Sequence, residues 1–355
     1  NFRNLIINGD MSIAQRGTTA GNLANSNTGY YSVDRFAWAE NGDDATIRQS
    51  FNQTTDVPTG QGFSKSLKVT TTTASGSPVA DDYHRILHKI EAQNLQQLKF
   101  GTSNAEALTL SFWVKCSKTG NGVIFIYQDD SNQGVGGLTY TINSADTWEK
   151  KTISIPANTT NGITNDNGNG LQLEFIFNAG SNFTGGSPTG NWETFSNSIR
   201  AVGQTFTIND TLNAYYAITG VQLEVGTSAS DFEFLPYDVN LQRCQRYYEK
   251  SYDVNTVPST NTSNGIIIHS GSSNQVGNIQ IPLIWKTPKR TSPSITSYTE
   301  AGTSGQWGYG RNGANGDAGT GTGATGENST RIFLNIGSNW AVGNASGHYV
   351  ADAEL

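Results

Sequence analysis

The clearest hydrophobic pattern in the chain lies between residues 215 and 252. Alternate residues from Ala217 to Val225 share one face, which is the period of two expected of a half-buried strand. Asp238 then stands where a helix N-cap is favoured. Beyond it, apolar residues recur at helical spacing, at Leu241, Cys244, Tyr248 and Tyr252. The pattern predicts a closing strand, then a helix over residues 238–252, with a domain boundary where they meet.

Short alternating or β-rich segments separated by turn residues precede that boundary. They predict strands over residues 4–8, 30–40, 66–71, 107–115, 123–127, 148–155, 171–177 and 204–208. Residues 86–90 fit a further strand and residues 93–98 a helical turn. So many short strands predict a β-sandwich.

The region after the helix has strand patterns of its own. They cover residues 265–269, 278–283, 294–298 and 330–336. Between the last two, glycine recurs from Gly302 to Gly319 with a broken three-residue period. Because glycine favours loops on entropic grounds, we expect a mobile or ligand-exposed loop. The alternative is a packed array of polyglycine helices.

Composition supports an all-β chain of two domains. Of 355 residues, 35% are hydrophobic, 14% are charged and 40 are glycine, so turn-forming and β-tolerant residues dominate. Cys116 lies in an apolar strand and Cys244 on the apolar stripe of the helix, contexts that predict free buried thiols rather than a disulfide.

Charge and apolar runs argue against two classes of partner. The formal net charge is −7 and no basic block is present, so we expect no nucleic-acid binding. No apolar run approaches the roughly 18 residues that span a bilayer, so we expect no membrane insertion.

Motifs for catalysis are missing from the sequence, whereas candidate sugar platforms are present. There is no Walker loop, dinucleotide fingerprint, CxxC pair or nucleophile elbow, so we expect no enzyme and no catalytic residues. Trp148, Trp192, Trp307 and Trp340 stand in polar settings, where an exposed indole can face a sugar ring.

The sharpest of these candidates is Trp307 in QWGYGRNG. With Tyr309, Arg311 and Trp340 it forms the predicted glycan-binding set, although packing of this segment onto its own domain is an equal alternative. Trp38 and Trp113 belong to strands, and we expect both in the core.

Several separated blocks resemble one family. They are NLIINGDMSIAQRG at residues 4–17, YYSVDRFAW at 30–38, IEAQNLQQLKFGTSNAEALTLSFWVKCSKTG at 90–120, GVQLEVG at 220–226, RCQRYYEKSY at 243–252 and HYVADAEL at 348–355. The first four resemble the carbohydrate-binding-module-like jelly roll of tail fibres and related virion proteins of bacteriophages, notably marine and cyanobacterial ones, and the last two also resemble those proteins.

The resemblance implies an all-β virion protein located at the phage tail. It implies an N-terminal jelly-roll β-sandwich (1–237), a short linking helix (238–252) and a smaller C-terminal β-sandwich knob (253–355). Host surface polysaccharide and other virion proteins are the implied partners. The first alternative is a purely architectural component such as a head decoration or baseplate spacer, and the second is a depolymerase tailspike.

Two further sets of residues follow from the resemblance. Tail fibres are usually trimers, so Leu241, Cys244 and Tyr248 are the leading candidates for contacts between subunits of a homotrimer, with an intramolecular contact as the alternative. Jelly rolls of this type often hold a structural calcium near their first and last strands, which implicates Asn8, Asp10 and Glu224. Oxygen ligands suit calcium, although Gln222 stands where such modules often offer a carboxylate.

Overall fold

The computed structural model describes residues 2–24, 28–42, 46–76, 78–271, 278–311, 314–335 and 343–355. The chain divides into two compact units. The first contains residues 1–14, 18–236 and 355, and the second contains residues 15–17 and 237–354. Residues 238–252, expected to link two domains, belong to the second unit.

The first unit consists of β-strands joined by loops and short helical turns. Its strands are β1 (Gly29–Tyr30), β2 (Phe36–Asn41), β3 (Arg48–Thr54), β4 (Ser66–Thr73), β5 (Tyr83–Glu91), β6 (Leu108–Cys116), β7 (Gly120–Gln128), β8 (Gln133–Ile142), β9 (Glu149–Ile155), β10 (Asn169–Ala179), β11 (Glu193–Thr194) and β12 (Tyr215–Val225). Its helical segments are the 3₁₀ helices Ala92–Leu98 and Asn197–Ile199 and the single-turn helix α1 (Ser181–Thr184).

These strands form two antiparallel sheets around one core. The larger sheet has the order β1–β2–β5–β10–β7–β8–β11 and the smaller one β3–β4–β12–β6–β9. Phe36 and Trp38 from the larger sheet share a buried cluster with Phe112 and Tyr216 from the smaller one. Each large apolar side chain buried in this way contributes about 1.5–3 kcal/mol. The predicted jelly-roll β-sandwich is confirmed.

Most predicted strands overlap observed ones, and the helical turn at 93–98 falls within the 3₁₀ helix Ala92–Leu98. The strand predicted at 204–208 is wrong, because Phe206 and Ile208 reach the core from an irregular segment. The pattern did not predict β3 or β8.

Residues 4–8 also form no strand, although they lie beside β12 as expected. The Leu5 amide donates to Leu223 O, and the Val221 amide donates to Gly9 O, both at 2.9 Å. Between these bonds the Asn4 side chain replaces the backbone, donating to Val221 O and accepting from the Leu223 amide. Asn8 then takes a φ of 62°, which ends any extended conformation.

The closing strand β12 has a break in its alternation. Its pairing with β6 shifts register between Thr219 and Gln222, and Gly220 between them has a φ of 60°. The bulge moves the core-facing side from Tyr216 and Ile218 to Val221 and Leu223. A single unbroken face from Ala217 to Val225 is therefore wrong.

The second unit is a smaller β structure with one helix at its start. Its elements are α2 (Tyr237–Gln245), β13 (Tyr248–Lys250), β14 (Ile267–Gly271), β15 (Asn278–Ile284), β16 (Ser294–Tyr298), β17 (Gln306–Arg311), β18 (Ala314–Gly323), β19 (Ser329–Asn335) and β20 (Gly343–Asp352). None of the helices in the described ranges is long and apolar enough to cross a membrane.

Strand β20 organises this unit. Residues 343–347 pair with β14 and residues 348–352 with β16, while the path β13–β20–β17–β18–β19–β15 completes the sheet. Ile281, Trp307 and Tyr349 contribute to a second hydrophobic core.

A buried ion pair lies inside the second unit. Glu249 and Lys289 are both 0% exposed, and Lys289 Nζ lies 2.7 Å from Glu249 Oε2. The Tyr349 hydroxyl also donates to Glu249, at 2.7 Å. Burial lowers the pKa of the Lys289 ammonium below its usual value, although the Glu249 carboxylate opposes part of that change. The network joins β13, β20 and the segment after β15.

The predicted helix is shorter than its apolar spacing indicated. It ends at Gln245, and Tyr248 lies in β13 because residues 248–250 pair with β20. Tertiary pairing therefore overrides the helical pattern in residues 246–252. The prediction of free buried thiols is confirmed for Cys116 and Cys244.

Candidate functional site

The glycine-rich segment of the second unit forms paired strands rather than a loop. β17 and β18 run antiparallel, with Trp307 opposite Ala318. Both of these side chains are buried in the second core, which offsets the entropic cost of ordering glycine. The predictions of a loop and of polyglycine helices are wrong for the part of this segment that the structure describes.

Glycines form the floor of a cleft on the opposite face of β17. Gly308 lies directly opposite Asp317 on β18 and Ser346 on β20. Residues opposite each other in a ladder project from the same face of the sheet. A Cβ atom placed on Gly308 would lie 3.6 Å from Asp317 Oδ1 and 3.8 Å from Ser346 Oγ. The missing side chain therefore leaves a trough between β18 and β20.

The cleft has a volume of about 470 Å³, which is within the range of small-ligand sites. Its lining is mostly polar and small, and consists of Thr299, Glu300, Ala301, Gly308, Tyr309, Gly310, Gly316, Asp317, Asn344 and Ser346. Two carboxylates, an amide and hydroxyl groups supply hydrogen-bonding atoms around a flat backbone floor.

The cleft is electronegative. Glu300 and Asp317 line it, and none of its lining residues is Lys, Arg or His. His348 lies nearby, but burial lowers the pKa of its imidazole, while the bond to Thr262 O and the Glu300 carboxylate act in the opposite direction. Because the pKa remains below its usual value, His348 is neutral at pH 7 and adds no positive charge.

The structure separates the members of the predicted glycan-binding set. Trp307 is 0% exposed, and its indole Nε1 donates to His348 O at 2.9 Å. The prediction that it offers an exposed face is wrong, because its alternation along β17 directs it into the core. Tyr309 lines the cleft, although its half-buried side chain packs against the same core.

The two other members of that set are Arg311 and Trp340. Arg311 is the last residue of β17, and its backbone pairs with Ala314 and Gly343. Trp340 lies outside the described residues.

The predicted subunit contacts are mostly buried within the chain. Cys244 is 0% exposed and Tyr248 is 4% exposed, so neither side chain is available to a neighbouring subunit. Leu241 is half-buried on α2. The predicted three-residue seam is therefore wrong for Cys244 and Tyr248.

The residues expected to hold calcium each have hydrogen-bond partners within the protein. Asn8 bonds Ile13 and the carbonyl of Asp34, and Asp10 accepts from Ser12. Within the described residues, no three His, Cys, Asp or Glu side chains are grouped so that they could hold a metal ion.

Glu224, the third expected ligand, has protein donors of its own. It accepts from the amide and hydroxyl of Ser230, and Arg3 lies nearby. Its oxygens are thus engaged by protein donors, and a calcium site at these three residues stays a prediction.

The sequence contains a signal for the cleft that three-residue spacing obscured. In QWGYGR, glycine alternates with Trp307 and Tyr309, which is the period of two of a strand with one glycine face. Asp317, Asn344 and Ser346 were missed because only strand register brings them beside Gly308.

Comparisons with known proteins add similarity but no assignment. No protein-family model and no curated protein sequence matches the chain. The enzymatically active domain of tailspike protein 4 from bacteriophage CBA120 is similar in structure, at 13% identity and a TM-score of 0.29. That match covers 54% of this chain and 19% of the tailspike domain, so the chain spans about a fifth of that protein.

Two smaller modules are similar over most of their own length. The family 11 carbohydrate-binding module of the Clostridium thermocellum cellulase Lic26A-Cel5E is 12% identical, with a TM-score of 0.27, over 59% of this chain and 97% of the module. The K1 adhesin domain of Lys-gingipain from Porphyromonas gingivalis is 12% identical, with a TM-score of 0.24, over 60% of this chain and all (100%) of that domain. At such TM-scores these similarities carry no argument about fold or function.

Proposed function

We propose that the chain is a subunit of a bacteriophage tail fibre that binds a host-surface glycan through the cleft of its second unit. The observation that carries this proposal is the trough floored by Gly308, with Asp317 and Ser346 on its walls. A floor without side chains lets a ligand approach the backbone closely, while the walls provide donors and acceptors.

The chemistry of the cleft suits a polyhydroxylated ligand. Carboxylates of Glu300 and Asp317 accept from sugar hydroxyls, and the Asn344 amide both donates and accepts. Hydrogen bonds to charged groups contribute more than neutral ones, at about 1.5–3 kcal/mol each.

The resemblance of the six sequence blocks to proteins of bacteriophage tail fibres supports a location in the virion. The same resemblance supports a homotrimer attached to other virion proteins. Size-exclusion chromatography with light scattering tests this part separately, and a monomer at micromolar concentration would contradict it.

A direct test uses the full chain and an array of bacterial surface polysaccharides. Gly308→Val places two methyl groups in the cleft on a strand that favours β-branched residues. We expect at least a tenfold loss of affinity, roughly 1.4 kcal/mol. The matched control is Gly326→Val, because a Cβ at Gly326 meets no heavy atom within 4 Å.

Two results would contradict the proposal. Either no polysaccharide binds the parent chain, or both variants bind as the parent does. Thermal melts of both variants establish that they are folded.

An architectural role is the second candidate, and one observation favours it. Trp307 is buried, while Ile268 and Ile284 are 63% and 81% exposed on the second unit. Failure of the array with retained oligomerisation favours this role.

The proposal includes no catalysis, although Glu300 and Asp317 line one cleft. Incubation with a bound polysaccharide should therefore leave its chain length unchanged, and depolymerisation would show the tailspike alternative to be right.

A further inference from the structure

The outer face of the five-stranded sheet in the first unit carries a second set of candidate binding groups. Phe112 and Val114 of β6 are buried in the sandwich core. Because side chains alternate along a strand, Trp113 and Lys115 project from the opposite face. Trp113 is half-exposed, so its predicted place in the core is wrong.

A small residue lies at the centre of this face. Ala217 of β12 is directly opposite Lys68 on β4 and Lys115 on β6. Two ammonium groups therefore flank a low point in the sheet, as two polar walls flank Gly308 in the other unit. Lys150 projects from the same face, since it lies opposite Trp113.

Aromatic rings on this face are held in place by hydrogen bonds. The Trp148 indole Nε1 donates to Asp56 Oδ1 at 3.0 Å, and the Tyr215 hydroxyl donates to Asp146 Oδ1 at 2.6 Å. Trp148 is half-exposed. A tethered indole offers apolar area at little entropic cost, which suits stacking against a pyranose ring.

The charges on this face have a positive surplus. Lys115 pairs with Asp56 at 2.8 Å, whereas Lys68 Nζ lies 3.9 Å above the Tyr215 ring. Lys68 and Lys150 form no ion pair within the described ranges. Lys68, Lys115 and Lys150 project from this face, whereas Lys151 lies opposite the buried Phe112 and projects from the other one. These three ammonium groups outnumber the carboxylates of Asp56 and Asp146, so the face is positive although the chain has a net charge of −7.

We propose that this face binds an acidic polysaccharide, one in which uronic-acid units alternate with neutral sugars. Lys68 and Lys150 pair with the carboxylates, Trp148 stacks on a neutral ring, and Asp56 accepts from hydroxyl groups. Asp56 and Asp146 beside the lysines disfavour a polymer with a charge on every unit, such as a nucleic acid. This site is independent of the glycine-floored cleft.

The test measures binding of the full chain to three immobilised probes. They are an acidic heteropolysaccharide with spaced uronic acids, its carboxyl-reduced neutral form, and single-stranded DNA. We expect binding to the acidic polymer, at least tenfold weaker binding to the reduced polymer, and weakening by added salt.

Variants assign that binding to the face. Lys68→Gln/Lys150→Gln should weaken binding to the acidic polymer by about tenfold or more, since each charge-assisted bond is strong. Lys99→Gln is the matched control, because Lys99 is an exposed lysine of the same unit that pairs with Glu106 elsewhere. Trp148→Ala should weaken binding to both polysaccharides.

Three outcomes would overturn the proposal. They are no binding of the acidic polymer, equal loss in the double variant and the Lys99→Gln control, or tighter binding of DNA than of polysaccharide. Gly308→Val changes the cleft of the second unit, so it should leave binding of the acidic polymer to the five-stranded sheet unchanged. The proposal for this face and the proposal for the cleft can therefore fail separately.

Discussion

The two units each expose one face of a sheet, and the two faces differ in charge and in the position of their aromatic rings. In the first unit, Ala217 lies between two lysines, and hydrogen bonds tether the rings of Trp148 and Tyr215 on the same face. In the second, Gly308 lies between Asp317 and Ser346, and the largest aromatic ring of its strand is buried. Both faces have a small residue on a central strand. The residues opposite the small residue on the neighbouring strands therefore set the chemistry of each face, more than the strand that carries it.

The largest expected effect is on stability, and it comes from comparing Trp307→Ala with Trp148→Ala. The pair tests whether Trp307 is buried and Trp148 lies on a surface face. Trp307 is fully buried, so its truncation should cost about 3–5 kcal/mol of unfolding free energy. Trp148 is half-exposed, and its truncation should cost about 1 kcal/mol, mainly through the bond to Asp56. Urea unfolding monitored by far-UV circular dichroism measures both. Equal costs would contradict the assigned faces.

Glu249→Gln tests whether the second unit depends on its buried ion pair. Removing one partner leaves the Lys289 ammonium buried without its counter-charge, which should cost about 3–5 kcal/mol. Tyr349→Phe is the milder control, because it removes only a hydroxyl donor. Differential scanning calorimetry should show the transition of the second unit moving to lower temperature. Loss of stability no greater than in Tyr349→Phe would show that the pair is dispensable.

Glu224→Gln has the smallest expected effect on stability. It tests the carboxylate that belongs to the predicted calcium site. Burial raises the pKa of Glu224, but bonds from Ser230 and Gln222 and the charge of Arg3 outweigh it, so the net pKa lies below its ordinary value. Its stabilisation is therefore present above the unfolded pKa of about 4.3 and lost as pH falls through the lower folded pKa.

The parent and Glu224→Gln should consequently differ in melting temperature at pH 7, and the difference should shrink below the unfolded pKa of about 4.3 and vanish once the pH is below the lowered folded pKa. Glu106→Gln, an exposed glutamate paired with Lys99, is the control. Addition of calcium should leave the parent's melting temperature unchanged. A calcium-dependent rise lost in Glu224→Gln would contradict the described bonding of this carboxylate.

Local patterns predicted much of the first unit. The strand predicted over residues 217–225 lies within β12, although its alternation breaks at Gly220, and the helical turn at 93–98 and the core position of Trp38 are also observed. These features depend on neighbours in sequence, which periodicity and propensity report directly.

The candidate sites could not be predicted in the same way, because strand register decides them. Strand alternation places Trp307 in the core and Trp113 on the outer face of its sheet, the reverse of the prediction for each. Likewise, pairing of Tyr248 with Asp352 replaced a helical turn by β13. Asp317 and Ser346 reach Gly308 only across two ladders, a relation that no local window contains.

Hydrogen–deuterium exchange of the full chain, with and without a polysaccharide selected on the array, tests the central claim most directly. Binding at the glycine-floored cleft should slow exchange of amides in β17, in β18 near Asp317 and in β20 near Ser346, because the ligand covers their exposed face. The account predicts this protection in the parent and its loss in Gly308→Val. Protection confined to other segments, with β17 unchanged, would contradict it.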